Sequence, residues 1–399
     1  MAIYAPGQNY ALPVPVLAPE DELYYSPTNF RTGPSITEDV PSPMTYSQRL
    51  ENIGHLLRTQ PKQYPAEFPD ASIVPWSGGD PDTDPEAWIF QLQPEDIAEI
   101  DAALKGFSGP KIKALWDDAV NHDGILILRG LDPKRYSLHQ NIVLYVGITS
   151  YVSVHRAAQT ITNDLLVHLR DSGIITGESQ YRREQFSGSA QPFHTDFAPI
   201  MAMYVVETPL QGGRCMWASG LRVYQELVAS RPEVIEVLES VDDHGNPLEA
   251  ITPRPVLYWD DGHPFFFFSR RQLTGTPLQA RPQSIPQLTD LQADALDAVQ
   301  FAALKHCIRH VPVRGEIQVI DNLAILHSRE QFVNGQGRDR HLIRLWLKNE
   351  QLAHKTLHVE LQKVFNDVFR PDRLKESIWE LRGYNSWETL VDESGHSNT

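Results

Sequence analysis

Gln191-Pro-Phe-His194-Thr-Asp196-Phe-Ala-Pro199 runs straight into the β-rich segment Met201-Ala-Met-Tyr-Val-Val206. In extended backbone, residues i and i+2 project to one face, so His194 and Asp196 can meet one ion while Thr195 turns away. Far downstream, Leu323-Ala-Ile-Leu-His327 ends an apolar run in another histidine. Thirteen residues later Arg340 opens Arg340-His-Leu-Ile-Arg344-Leu-Trp-Leu. Two imidazoles and one carboxylate on one side of a metal leave the opposite side open, which suits non-haem Fe(II) and O2. Arg340 is then placed to hold the carboxylate of a co-substrate in a bidentate fork.

The segments around these residues are short strands with helices before, between and after them. Gly124 to Gly130 predicts a buried strand, and strands follow over 200–206, 255–259, 264–268, 317–320, 323–327 and 342–347. A helix starts near Pro94-Glu-Asp, with Ile97, Ile100, Leu104 and Phe107 at helical spacing. Tyr136 to Ser153 is helical, then looser. Thr289 and Gln292 form a capping box for a helix to about His306, whose buried side is Leu291, Leu296, Val299 and Ala303. There is no βαβ alternation and no internal repeat. The predicted fold is mostly β with flanking helices, built on a double-stranded β-helix, the jelly roll, whose mouth takes the metal. Residues 1–90 predict a Pro-rich N-terminal arm, 91–350 the jelly-roll catalytic domain, and 351–399 a C-terminal helical extension packed on the core. For residues 1–40 the alternative is a disordered tail.

Hydrophobic residues make up 41% of the 399, and charged residues 22%, enough for a sizeable core. The net charge of −16 argues against nucleic acid and anionic membrane surfaces as partners, but not against a small anion held by local arginines. Cys215 and Cys307 are the two cysteines, so neither a disulfide framework nor a Cys-x-x-Cys zinc site is expected. No signal peptide is visible and no apolar run reaches about 18 residues. The expectation is a cytoplasmic protein with a small-molecule substrate; a homo-oligomer is left open.

Several residues carry competing explanations. His358-Val-Glu360 repeats the His-x-acid pattern but falls in the helical tail, where a surface position is expected. Arg340 and Arg344 share a face if their strand is regular, and two guanidinium groups there need anions, from ligands or from acidic neighbours. Gly212-Gly-Arg-Cys-Met-Trp217 predicts a tight turn, with Trp217 packed at the end of the barrel or in a plain hairpin. Phe186, Phe193 and Phe197 wall an apolar pocket or fill the core.

At these residues the chain resembles the TauD/TfdA branch of Fe(II)/2-oxoglutarate-dependent dioxygenases, the taurine dioxygenase and clavaminate synthase-like group. The resemblance rests on His194-Thr-Asp196, Thr208-Pro-Leu-Gln-Gly-Gly213 with Trp217-Ala-Ser219, Asp321-Asn322 to His327, Arg340 to Trp346, and Ile127-Leu-Arg-Gly-Leu131. It runs from about residue 95 to 350. It implies a clavaminate synthase-like jelly roll in which His194, Asp196 and His327 bind Fe(II). Arg340 then holds the distal carboxylate of 2-oxoglutarate, with O2 as the other co-substrate. Arg344 supports that carboxylate or binds an anionic substrate. Apart from the resemblance, Phe197 is a candidate substrate-binding residue by its place beside the loop. Cys215 stands where the archetype has a threonine assisting the co-substrate, and a thiol is the weaker donor. The implied reaction oxidises a C–H bond by hydroxylation, desaturation or oxidative cyclisation of a small molecule. A carboxylate-bearing one, such as an amino acid or specialised metabolite, is expected. Asp196 argues against a halogenase. The rival expectations are a dioxygenase acting on a peptide and a non-catalytic jelly-roll binding protein.

Overall fold

The computed structural model describes residues 63–68, 75–80, 83–103, 110–120, 123–160, 162–171, 186–188, 190–240, 247–248, 252–270, 273, 288–349 and 359–381. The N-terminal half carries β1 (Ile89–Gln91), α1 (Pro94–Ala103), α2 (Pro110–Val120), β2 (Ile125–Arg129), α3 (Leu138–Thr149), β3 (His155–Arg156) and β4 (Val167–Arg170). Next come β5 (Gln191–His194), β6 (Ile200–Glu207), β7 (Gln211–Gly212), β8 (Cys215–Ser219), α4 (Gly220–Ser230) and α5 (Pro232–Glu239). Two small hairpins, β9 (Pro247–Leu248) with β10 (Thr252–Pro253) and β11 (Leu257–Asp260) with β12 (His263–Phe266), lead to α6 (Asp290–His306). The chain continues through β13 (Ile308–His310), β14 (Ile317–Asp321), β15 (Ile325–Arg329), β16 (Phe332–Val333), β17 (His341–Lys348), α7 (Val359–Val368) and α8 (Pro371–Lys375).

Among the described residues the larger sheet has the order β1-β2-β14-β6-β17-β3, with β4 also on β17. Apart from the parallel β1–β2 pair, its pairings are antiparallel. The smaller sheet is β13-β8-β15-β5, antiparallel throughout. Alternation along each strand sorts the side chains. Ile200, Ala202 and Tyr204 of β6 face outward with Ile343 and Leu345 of β17, under Ile142, Tyr145 and Ile148 of α3. Met201 points the other way. It shares one cluster with Ile125, Ile127 and Trp346 of the larger sheet and with Cys215, Trp217 and Ile325 of the smaller. A cluster drawn from both sheets is the lumen of a two-sheet barrel, so the jelly roll is formed. The outer face of the smaller sheet, Phe193, Met216, Ala218 and Leu326, is covered by α4, α5 and α6 through Val223, Leu227, Ile235 and Val299.

The capping boxes explain two helix starts. Thr289 and Gln292 cap α6 reciprocally, and Ser137 and Gln140 do the same for α3. The expected strands at 200–206, 317–320 and 342–347 are present with slightly longer bounds. Other features depart from expectation. No plain hairpin follows Gly212-Gly213: Ser219 ends β8 and at once caps α4, accepting from Arg222 N. Helices α2, α4 and α5 and strands β4 and β13 were not foreseen. In the tail, Pro371 restarts the chain as α8, and only α7 and α8 are helical within 359–381. Leu361 and Phe365 of α7 pack on Tyr258, Phe265, Phe267 and Leu323. Leu104, Phe107 and His358 lie outside the described residues, as does most of the expected arm. Tyr64 and Phe68 pack on the cluster beneath α4–α6, and Trp76 enters the lumen cluster. No helix among the described residues is long and apolar enough to cross a membrane.

Candidate metal centre and co-substrate pocket

Strand register brings the two histidines together. His327 of β15 pairs directly with His194 of β5 across the smaller sheet, and their rings lie 4.2 Å apart. Asp196 is not on the strand, because β5 ends at His194. Asn322, just after β14, holds it instead. The Asp196 N–H donates to Asn322 Oδ1 at 2.8 Å, and Asn322 Nδ2 donates to the carbonyls of Asp196 at 2.7 Å and Ala198 at 2.6 Å. Thr195 turns away as expected, its N–H donating to the Phe268 carbonyl and its hydroxyl accepting from Phe268 N–H. One potential ligand atom from each of His194, Asp196 and His327 lies within 4.8 Å of the others.

The protonation states suit a cation. His194 Nδ1 lies 2.9 Å from the Pro192 carbonyl, which only accepts, so the proton sits there and Nε2 keeps a lone pair. His327 is buried and neither ring nitrogen makes a well-formed hydrogen bond. Burial, reinforced by His194, pushes its pKa down to about 3, although the Ile325 carbonyl and Asp196 oppose this. Burial pushes the Asp196 carboxyl up, but Arg344, the two histidines and Trp346 outweigh it and hold the pKa below its ordinary value. A neutral imidazole with unused nitrogens beside a carboxylate kept ionised is a donor set that fits a divalent metal of the Fe(II) kind.

The two arginines divide. Arg340 sits just before β17, which runs from His341 to Arg344 in unbroken register with β4, while the extra residue of the bulge opposite His341 and Leu342 lies in β6. Arg340 is 3% exposed, and its Nε and Nη1 have no hydrogen-bond partner. Burial lowers its pKa to about 10. Its guanidinium carbon lies 5.1 Å from the centre of the Phe332 ring. Arg344 is engaged: Nη1 donates to Asp196 Oδ2 at 3.0 Å, and Nε to Gln159 Oε1 at 2.8 Å. Trp346 Nε1 adds a 2.8 Å bond to Asp196 Oδ2. Cys215 is buried in the lumen, its thiol 3.7 Å from Gln318 Oε1 and its pKa pushed up to about 11 by burial. Phe197 is half-buried, 6.0 Å from the Trp346 ring and 5.7 Å from Phe267. Trp217 faces the lumen and stacks on His310 at 5.1 Å. Asn322 and Trp346 belong to motifs quoted above, yet nothing local marked them as partners of Asp196. Gln159 and Gln318 carried no signal at all.

Residues 88–346 match the family model described as Taurine catabolism dioxygenase TauD, TfdA family. This chain belongs to that family. Membership makes it an oxygenase dependent on non-haem Fe(II) and 2-oxoglutarate. One relative is the taurine hydroxylase-like protein SAT17 of Stachybotrys chartarum, 31% identical over 74% of this chain and 84% of its own length. Another is the FR-33289 synthase of Streptomyces rubellomurinus, 22% identical over 57% of this chain and 69% of its own. Among solved structures, asparagine oxygenase gives a TM-score of 0.48 at 17% identity, covering 65% of this chain and 93% of that one. The non-heme iron oxygenase OrfP with Fe, succinate and (3S)-hydroxy-L-Arg gives 0.49 at 14%, covering 68% and 97%.

Proposed function

We propose that this family member oxidises a C–H bond of a carboxylate-bearing small molecule, by hydroxylation, desaturation or oxidative cyclisation. His194, Asp196 and His327 hold the iron, and Arg340, with Cys215 beside it, receives the distal carboxylate of 2-oxoglutarate. The observation that carries this is the buried Arg340 fork, without a hydrogen-bond partner at two of its nitrogens, in the same barrel as the His-Asp-His cluster. A guanidinium kept from water in that way calls for an anion.

Bound iron, with 2-oxoglutarate and O2, supplies the oxidising power, and succinate and CO2 leave. The protein's own groups position and exclude. The Pro192 carbonyl fixes the His194 tautomer, while Asn322, Arg344 and Trp346 orient Asp196. Ile125, Ile127, Met201 and Trp217 keep water from the lumen. Arg344 uses Nε and Nη1 within the protein, and its Nη2 is the atom assigned to the substrate's anionic group. Phe197, against Trp346, supplies an apolar wall. An amino acid or a specialised metabolite has that combination of anion and hydrocarbon. The names of the two relatives, a hydroxylase-like protein and a synthase, accord with it. The net charge of −16 disfavours nucleic acid. The same proposal treats 91–350 as the catalytic domain, 1–90 as an arm and 351–399 as an extension on the core.

Anaerobic addition of Fe(II) and 2-oxoglutarate is expected to give a weak visible charge-transfer band, and a screen of amino acids and small carboxylates to find compounds that stimulate succinate release. Stimulation by peptides alone would move the substrate to that class. Absence of the band would overturn the assignment of the centre.

A further inference from the structure

One amide joins the metal centre to a part of the chain that lies beyond the family match. Gln159 stands on the loop that follows β3. Its Oε1 accepts from Arg344 Nε at 2.8 Å, and its Nε2 donates to the Arg344 carbonyl at 3.0 Å and the Leu165 carbonyl at 2.6 Å. A single side chain thus holds both the main chain and the guanidinium of Arg344. A planar group fixed at two of its three nitrogens, here Nε and Nη1, cannot turn. Arg344 Nη1 and Trp346 Nε1 bond Asp196 Oδ2 at 3.0 and 2.8 Å. Asp196 Oδ1 lies 3.9 Å from His194 Nε2, so Oδ1 is the oxygen turned towards the ion. Gln159 brings no charge, and Asp196 keeps its place as the carboxylate that Arg344 holds.

The loop does not keep this shape by local bonding alone. Asn163 has φ +60°, a left-handed conformation that strains most residues and that asparagine tolerates. Support comes from residues 359–381, whereas the family match ends at residue 346. The Val368 carbonyl accepts from Ala158 N–H at 2.9 Å. Ile378 donates to the Asn163 carbonyl and accepts from Leu165 N–H, both at 3.0 Å. Arg373 of α8 donates from Nε to Asn163 Oδ1 at 2.9 Å and from Nη2 to the Thr160 carbonyl at 2.5 Å. Its Nη1 pairs with Asp367 of α7 at 3.1 Å. Thr160 and Asn163 flank the turn that Gln159 closes with its N–H to the Asp164 carbonyl at 2.9 Å.

We infer that Gln159 is a positioning residue for the metal centre: it locks the plane of Arg344, which presents Asp196 Oδ1 to the ion, and the segment 359–381 holds Gln159 in place through Arg373. This rests on the assignment of His194, Asp196 and His327 to iron made above.

The test titrates Co(II), whose visible bands report coordination, into the full chain freed of metal by chelation. The parent is compared with Q159L, R344M, R373Q and H327A, and with the doubles Q159L/R344M and Q159L/R373Q. Q159L is expected to weaken Co(II) about threefold to tenfold, the scale of one lost hydrogen bond. In the R344M background it should cause no further loss, because it acts through Arg344. R373Q should weaken Co(II) in the parent and add nothing in the Q159L background. Equal losses with and without Arg344 are what a merely structural glutamine gives, and they overturn the inference. Unchanged or tighter binding by Q159L does the same. An R373Q protein that binds as the parent does overturns the part given to the segment 359–381. Should Q159L fail to fold, Q159E takes its place under the same criteria, since it keeps an oxygen for Arg344 Nε and loses the donor to both carbonyls. If the parent binds no Co(II), or H327A binds it as tightly, the ligand assignment itself falls and takes the inference with it.

Discussion

Asn322 places three hydrogen bonds on the loop that carries Asp196, and Arg344 and Trp346 approach the carboxylate from the other side. These groups aim a proposed iron ligand that lies beyond the end of its strand. N322A is expected to reduce iron affinity about tenfold to a hundredfold, the usual effect of losing an outer-shell partner; metal titration of the purified variant checks this. H194A and H327A should lose Fe(II)-dependent succinate formation while keeping the circular dichroism of the parent, since neither histidine holds the fold together. Full succinate production by either would remove it from the ligand set. R340A is expected to weaken 2-oxoglutarate by about 1.5–3 kcal/mol, the scale of a hydrogen bond to a charged group, and an unchanged dissociation constant would reassign the arginine. Residue types made the proposed ligands and Arg340 stand out as candidates: a His-x-Asp pair, a distant His and a spaced Arg are few in kind and specific in chemistry. Asn322, Gln159 and Gln318 were not legible, because an amide has no distinctive partner until folding supplies one.

Among the elements, the turn between β7 and β8 decides where the pocket wall stands. Gly212 has φ +74°, and a Cβ there would lie 2.3 Å from the Gln331 carbonyl oxygen. The strand it joins pairs with β16, which carries Phe332 under the Arg340 guanidinium. G212A is therefore expected to destabilise the protein by about 1–3 kcal/mol and to weaken 2-oxoglutarate as well. Thermal melts with a binding titration test the pair of effects, and an unaltered melting temperature would show that the backbone relaxes freely. Helix α6 was legible because its capping box and apolar stripe are both local. The helices α4 and α5 were missed because Ser219 serves at once as the last residue of β8 and the cap of α4, with no turn between. The division of tasks between Arg340 and Arg344 was equally invisible: it depends on the partners that folding brings, Asp196 and Gln159 to Arg344, and not on the alternation of the strand.

For the whole molecule, a barrel that buries Arg340 and an open His-Asp-His cluster is stabilised by what fills it. Fe(II) with 2-oxoglutarate at about a hundred times its dissociation constant should raise stability by about 2.7 kcal/mol for the co-substrate alone. Chelation should reverse the gain, and differential scanning fluorimetry with and without chelator measures both. A melting temperature indifferent to ligand would mean that the folded protein does not bind them. The outer wall depends on an ion pair of its own, Arg270 with Asp297 of α6, both side chains 1% exposed. Breaking a buried pair of this kind costs up to about 3–5 kcal/mol, so D297N is expected to destabilise the protein on that scale at most, as read by thermal melts.

The amino-acid sequence alone determined the donor types, the strand-rich pattern and the acidic character, because these follow from residue chemistry and local periodicity. Tertiary structure alone decided that His327 faces His194 across a sheet, and that Arg344 bonds to Asp196 while two nitrogens of Arg340 are left without a partner. Those outcomes depend on strand register between segments more than a hundred residues apart, and register is set by the packing of whole faces rather than by any neighbour along the chain.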